Sequence, residues 1–153
     1  MSTEEIAAAL EHWSGYIRAK NALLEAGVVR SFKAPEADFA EWLIANLIGG
    51  SLPTSKSHPS CDVLAPGKRV QVKSVCKAPG NSNGYIIGAK DRSNDAATGA
   101  SHYAFVFFNK LALDAAFLIP EDVVRLWDRM QVKRLDVENH PSTVRLWPLQ
   151  RRI

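Results

Sequence analysis

Apolar positions at the start of the chain recur with helical spacing. Ile6, Leu10, Trp13, Ile17 and Leu24 fall on one stripe and predict a helix over residues 3–26. Ser2, with Glu5 three positions on, supplies a capping box, and Gly27 is a suitable stop. A second helix is predicted to open at Pro35-Glu36, because proline and an acid both suit a first turn, and to end at Gly49-Gly50. Its interior, Phe39 to Ile48, is apolar nearly all round, so this helix should be buried. Glu41 shares the stripe of Ala37, Ile44 and Ile48 and so points towards protein. A carboxylate in that position needs a partner or a role, since an unpaired buried charge is costly. Pairing with Arg30 or Lys33 would satisfy it, and Glu36 and Asp38 are the other carboxylates of the helix.

Beyond a polar loop at 51–60 the period changes to two. Residues 61–65, then Pro66-Gly67, then 68–76 predict a β-hairpin. Residues 77–101 are rich in Gly, Asn, Ser and Asp and hold one short apolar run, Tyr85-Ile86-Ile87, which predicts a long loop of the kind that is functional or mobile. Strands are predicted at 103–108 and 115–119, a helix from Pro120 to about Met130, and an edge strand around Val144 to Trp147. The order predicts an α/β fold in which helices flank a mixed sheet. With 153 residues and no internal repeat or linker, one domain is expected: a helical extension at 1–34, a core at 35–130 and a tail at 131–153.

Charge sharpens the picture. Residues 1–50 hold four Lys/Arg against seven Asp/Glu, whereas residues 51–153 hold fifteen against nine. Between 51 and 92, Lys56, Lys68, Arg69, Lys73, Lys77, Lys90 and Arg92 face only Asp62 and Asp91, a pattern suited to a polyanion. No run approaches the roughly eighteen apolar residues of a membrane span. Two cysteines, Cys61 and Cys76, suit reduced thiols, so a cytoplasmic protein off the membrane is expected.

Register arithmetic identifies the candidate chemistry. Both a two-residue and a four-residue hairpin loop place Asp62 opposite Gln71, and a four-residue loop from Ala65 to Lys68 is expected because Pro-Gly suits a tight hairpin turn poorly. Asp62, Gln71 and Lys73 then share one face, with Cys61, Val63, Val70, Val72 and Cys76 on the other. A carboxylate and an amide carbonyl are oxygen ligands suited to Mg²⁺, and Lys73 could orient water or stabilise charge on a phosphate.

Cys61-Asp62, eight further residues, then Gln71-Val72-Lys73 resembles the PD-(D/E)xK nuclease motif, and the preceding helix with Glu41 and Gly49-Gly50 is similar to the same superfamily. The resemblance implies a restriction-endonuclease-like fold, closest in size to small homodimeric type II restriction endonucleases. It implies that Asp62 binds metal, Gln71 stands in the second acidic position, Lys73 is the catalytic lysine and Glu41 the helix carboxylate. The implied activity is Mg²⁺-dependent cleavage of double-stranded DNA by a homodimer, with Mn²⁺ able to substitute. Homing or junction-resolving nucleases share the motif. Two positions depart from the pattern: Cys61 replaces proline, and Gln71 replaces an acid. Either Glu41 supplies the missing charge, or activity is lowered or lost and a non-catalytic DNA-binding module remains. Lys77, Asn81, Asn83, Lys90, Arg92, Ser93, Asn94 and His102 are the candidates for DNA contact, since Arg and Lys suit guanine or phosphate and Asn suits adenine. The first helix lies outside the resemblance and is a candidate dimer interface.

Overall fold

The computed structural model describes residues 2–31, 33–55, 61–77, 86–88, 99–127 and 131–148. The chain divides into two compact units, Met1–Phe39 and Ala40–Ile153.

The first unit is built on α1 (Thr3–Glu25) and the start of α2 (Pro35–Leu47). The expected capping box closes α1: the Ser2 amide donates to Glu5 Oε2 at 2.6 Å and the Glu5 amide to Ser2 Oγ at 3.2 Å. The helix ends as Gly27 takes φ +68°, with Val28 N–H on Leu23 O and Gly27 N–H on Leu24 O, the Schellman arrangement. Asp38, 1% exposed, accepts from the Arg30 amide at 2.9 Å and the Ser31 hydroxyl at 3.0 Å. That carboxylate ties down the chain between the two helices.

The second unit holds a five-stranded mixed sheet in the order β1-β2-β4-β5-β7. Its strands are β1 (Val63–Ala65), β2 (Lys68–Lys77), β4 (His102–Asn109), β5 (Ala112–Pro120) and β7 (Val144–Trp147). β2 and β4 run parallel, and the other neighbours are antiparallel. β3 (Ile86–Gly88) and β6 (Gln131–Lys133) form a separate antiparallel pair. Two short helices, α3 (Glu121–Arg125) and α4 (Arg134–Glu138), complete the unit. The expected fold class, α/β with a mixed sheet, helices and an N-terminal helix, is thus the observed one.

Residues 104–108 of β4 are all at most 2% exposed, as a near-continuous apolar run in a strand with sheet on both sides should be. Phe105, Phe107, Ala115, Phe117 and Ile119 form one face of the core with Val124, Val132 and Val137. Arg134 bridges Asp114 at 2.7 Å and Glu138 at 3.3 Å, and Glu138 also pairs with Arg145, tying α4 to β5 and β7. Gly50 fits closely under β1, where an added Cβ would lie 2.6 Å from Leu64 O, so Ser51 can pair with Leu64. No helix among the described residues is long and apolar enough to cross a membrane.

Three expectations are corrected. The β1–β2 turn is two residues, since Ala65 pairs with Lys68. Gly67 at φ +67° beside proline has the signs of a type II turn, and a strand as short as β1 tolerates the splay this causes. The helix expected to reach Met130 is only α3, because Val124 is its last buried residue and Leu126 is 81% exposed. The tail forms β6 and α4 as well as the expected edge strand, elements too short to leave a readable period.

Candidate active site

The expected register is present from Val63 to Ala65: Val63 pairs with Val70, Leu64 with Arg69 and Ala65 with Lys68, and Asp62 stands just before β1 at the mouth of the hairpin. The Asp62 amide donates at 3.0 Å to the carbonyl of Val70, the residue already paired with Val63, so the regular ladder slips at Asp62. β1 ends there, so the next inward N–H of β2, that of Val72, has no carbonyl of β1 to meet. Asp62 Oδ2 accepts it at 2.8 Å. The same oxygen accepts from the Gln71 side-chain amide at 2.5 Å. Both bonds fall on Oδ2, and Oδ1 makes neither. Cys61, Val63 and Val70 are buried, so apolar packing anchors the backbone that carries this pair.

Lys73 lies two residues beyond Gln71 on the same side of β2, half-buried, opposite Phe105 of β4. Gln71 lies opposite Tyr103 in the same way. The strand therefore presents Gln71 and Lys73 in a row, with aromatic side chains of β4 beside them. Glu41 sits on α2 in the same unit, half-buried on the stripe of buried Ile44 and Ala45. The hydrogen bonds that join Asp62, Gln71 and Val72 do not include it. Asp38 is engaged by Arg30 and Ser31, so its carboxylate serves the loop before α2.

The donor set suits a hard cation in kind. Asp62 Oδ1 and Gln71 Oε1 are oxygens, as Mg²⁺ requires, and Glu41 is the nearest candidate in sequence for a second charge. Among the described residues no three His, Cys, Asp or Glu side chains converge, so a cation here would depend on the amide oxygen.

His102 opens β4 opposite Val70, on the face of the sheet away from Gln71 and Lys73. Its Nδ1 lies 2.8 Å from Ser101 Oγ. Burial first, then the ammonium of Lys68, hold this imidazole below the usual histidine value, while Asp122 pulls the other way. Ser101 is itself fixed by Arg69, whose amide donates to Ser101 Oγ at 3.0 Å and whose carbonyl accepts from the Ser101 amide at 2.8 Å. Lys68, Arg69, Ser101, His102 and Asp122 thus gather where β2 and β4 begin. The sequence does not reveal this cluster, because only the parallel pairing of β2 with β4 brings its members together and no turn encodes that pairing.

Of the other candidates for DNA contact, Lys77 ends β2. Asn81, Asn83, Lys90, Arg92, Ser93 and Asn94 lie outside the described residues. Comparison with known proteins found no matching family model and no matching curated sequence.

Proposed function

We propose that this chain is a divalent-cation-dependent endonuclease that hydrolyses phosphodiester bonds in double-stranded DNA, acting in the cytoplasm as a two-fold homodimer in the manner of a restriction enzyme. One observation carries the reading: Asp62 and Gln71 are in direct contact at the mouth of a hairpin, with Lys73 two residues further along the same face of β2. Asp62, Gln71 and Glu41 would hold Mg²⁺ or Mn²⁺, which supplies Lewis-acid polarisation of a phosphoryl oxygen and a more acidic water. Lys73 contributes a fixed positive charge where charge grows on the phosphate, and a donor that can orient the attacking water. The contact between Gln71 and Asp62 keeps the carboxylate turned towards Lys73's face of the strand.

A second reading rests on the same contact. Asp62 Oδ2 already accepts two N–H donors and acts as a clip on the hairpin, which suits a non-catalytic DNA-binding module of this fold. Plasmid DNA incubated with the protein and Mg²⁺, Mn²⁺ or EDTA separates the readings. Metal-dependent cleavage that Lys73→Ala abolishes supports the nuclease. Binding without cleavage supports the module. Discrete fragments point to a sequence-specific enzyme, and cleavage confined to branched DNA to a junction-resolving one.

A further inference from the structure

One exposed arginine is fixed in place and left without a counter-charge. Arg125, Arg134 and Arg145 each meet a carboxylate, on Glu121, Asp114 and Glu138. Arg69 and its neighbour Lys68 pair with no carboxylate among the described residues, and Arg69 is exposed. Its backbone is nevertheless held on both sides. Ser101 accepts from the Arg69 amide through Oγ at 3.0 Å, and the Ser101 amide donates to the Arg69 carbonyl at 2.8 Å. The Ser101 carbonyl in turn accepts from the Glu121 amide at 3.0 Å, which fastens this clasp to the start of α3. The guanidinium lies beside Gly99, where an ideal Cβ would stand 3.7 Å from its Nη2. A cation carried on so firm a base loses less freedom on meeting an anion than one on a loose loop.

We propose that Arg69 grips a backbone phosphate of bound duplex DNA, a few nucleotides from the phosphate beside Lys73. The proposal rests on the DNA reading above and holds for either of its two forms, nuclease or binding module. Side chains alternate along β2, so Arg69 shares the face of Gln71 and Lys73, whereas Lys68 shares that of Val70 and His102. Arg69 precedes Lys73 by about 13 Å along the strand. A DNA strand running along β2 covers that span in about four nucleotides, so the phosphate at Arg69 flanks the candidate site. A planar guanidinium gives a phosphate two parallel N–H bonds, and an arginine on the face of a sheet can do so without entering a groove. Such a contact fixes how the duplex lies on the protein and carries no sequence information.

The test is binding of two fluorescein-labelled DNA duplexes of unrelated sequence by the full-length protein in EDTA, over a series of salt concentrations. Arg69→Ala should weaken binding to both duplexes about tenfold and reduce the slope of log affinity against log salt by about one. Lys68→Ala removes the same charge from the other face of the strand and should weaken binding by less than about threefold. Both variants should melt as the wild type does, since neither residue is buried. Equal losses in the two variants would mean a diffuse positive field, a loss confined to one duplex would mean base reading, and an Arg69→Ala protein that binds like wild type would mean a solvated side chain. Each of these overturns the proposal and leaves the nuclease reading standing. A wild type that binds neither duplex at low salt overturns both.

Discussion

β2 and β4 lie side by side and run in the same direction, yet they are used differently. β4 is apolar from Ala104 to Phe108 and buried on both faces, with β2 on one side and β5 on the other. β2 alternates, and among the described residues β1 pairs with only its first three positions. Past Val70 a side chain, Asp62, takes over the hydrogen bonding that a neighbouring strand would otherwise supply. A strand held on both edges has little freedom for anything but packing. A strand whose partner stops short can combine a rigid backbone with polar atoms that are only half buried, which is what a chemical site requires.

The largest expected effect sharpens this contrast. Phe105→Ala removes a side chain 1% exposed from the core and should cost about 3–5 kcal/mol of stability. Lys73→Ala, directly across from it on β2, should change stability by no more than about 1 kcal/mol while removing cleavage. Urea denaturation of the two variants checks this, and equal losses would erase the distinction between the strands.

The two hairpin turns give the next test. The β1–β2 turn has glycine at its left-handed position, whereas Lys110 and Leu111 between β4 and β5 take φ +49° and +68° without one. Both signs are those of a type I′ turn, which favours Asn-Gly. Lys110→Asn with Leu111→Gly should therefore stabilise the protein by about 1 kcal/mol, read as a higher melting temperature.

The smallest effect concerns His102. Its lowered proton affinity means that the folded state binds fewer protons here than the unfolded state, so stability should decline as pH falls through the usual histidine range. His102→Gln should flatten that decline between about pH 7 and 5 without changing stability at pH 8. Melting curves across this range measure it.

Much of the architecture was legible because its signals are local. The capping box at Ser2 and Glu5, the stop at Gly27 and the hairpin register through Val63 and Val70 each follow from residues close in sequence. The placement of Asp62 beside Gln71 was legible from the same register, since the two possible loop lengths share it, although the ladder slips at Asp62 itself. The turn length is not legible in the sequence because the cost of a type II turn depends on how long its strands are, and β1 is short. β6 and α4 leave no readable signal because each has a single buried valine, Val132 and Val137, and one anchor defines no period. The cluster at Ser101 and His102 depends on a parallel pairing between strands separated by more than twenty residues. Glu41's place on the buried stripe of α2 was readable, whereas the use of Asp38 to fasten Arg30 and Ser31 was not, because that bond depends on how the chain returns after Gly27.

The central claim is that the Asp62 carboxylate serves chemistry as well as the hairpin. Asp62→Asn keeps an oxygen that can accept from the Val72 amide but removes the charge a cation needs. Its cleavage of plasmid DNA in Mg²⁺, measured beside its melting temperature and its DNA affinity, is the most direct test. The account predicts a folded protein that binds DNA and cuts at least about a hundredfold more slowly than wild type. Cleavage at the wild-type rate, or a wild type that binds DNA and never cuts it in Mg²⁺ or Mn²⁺, would contradict it.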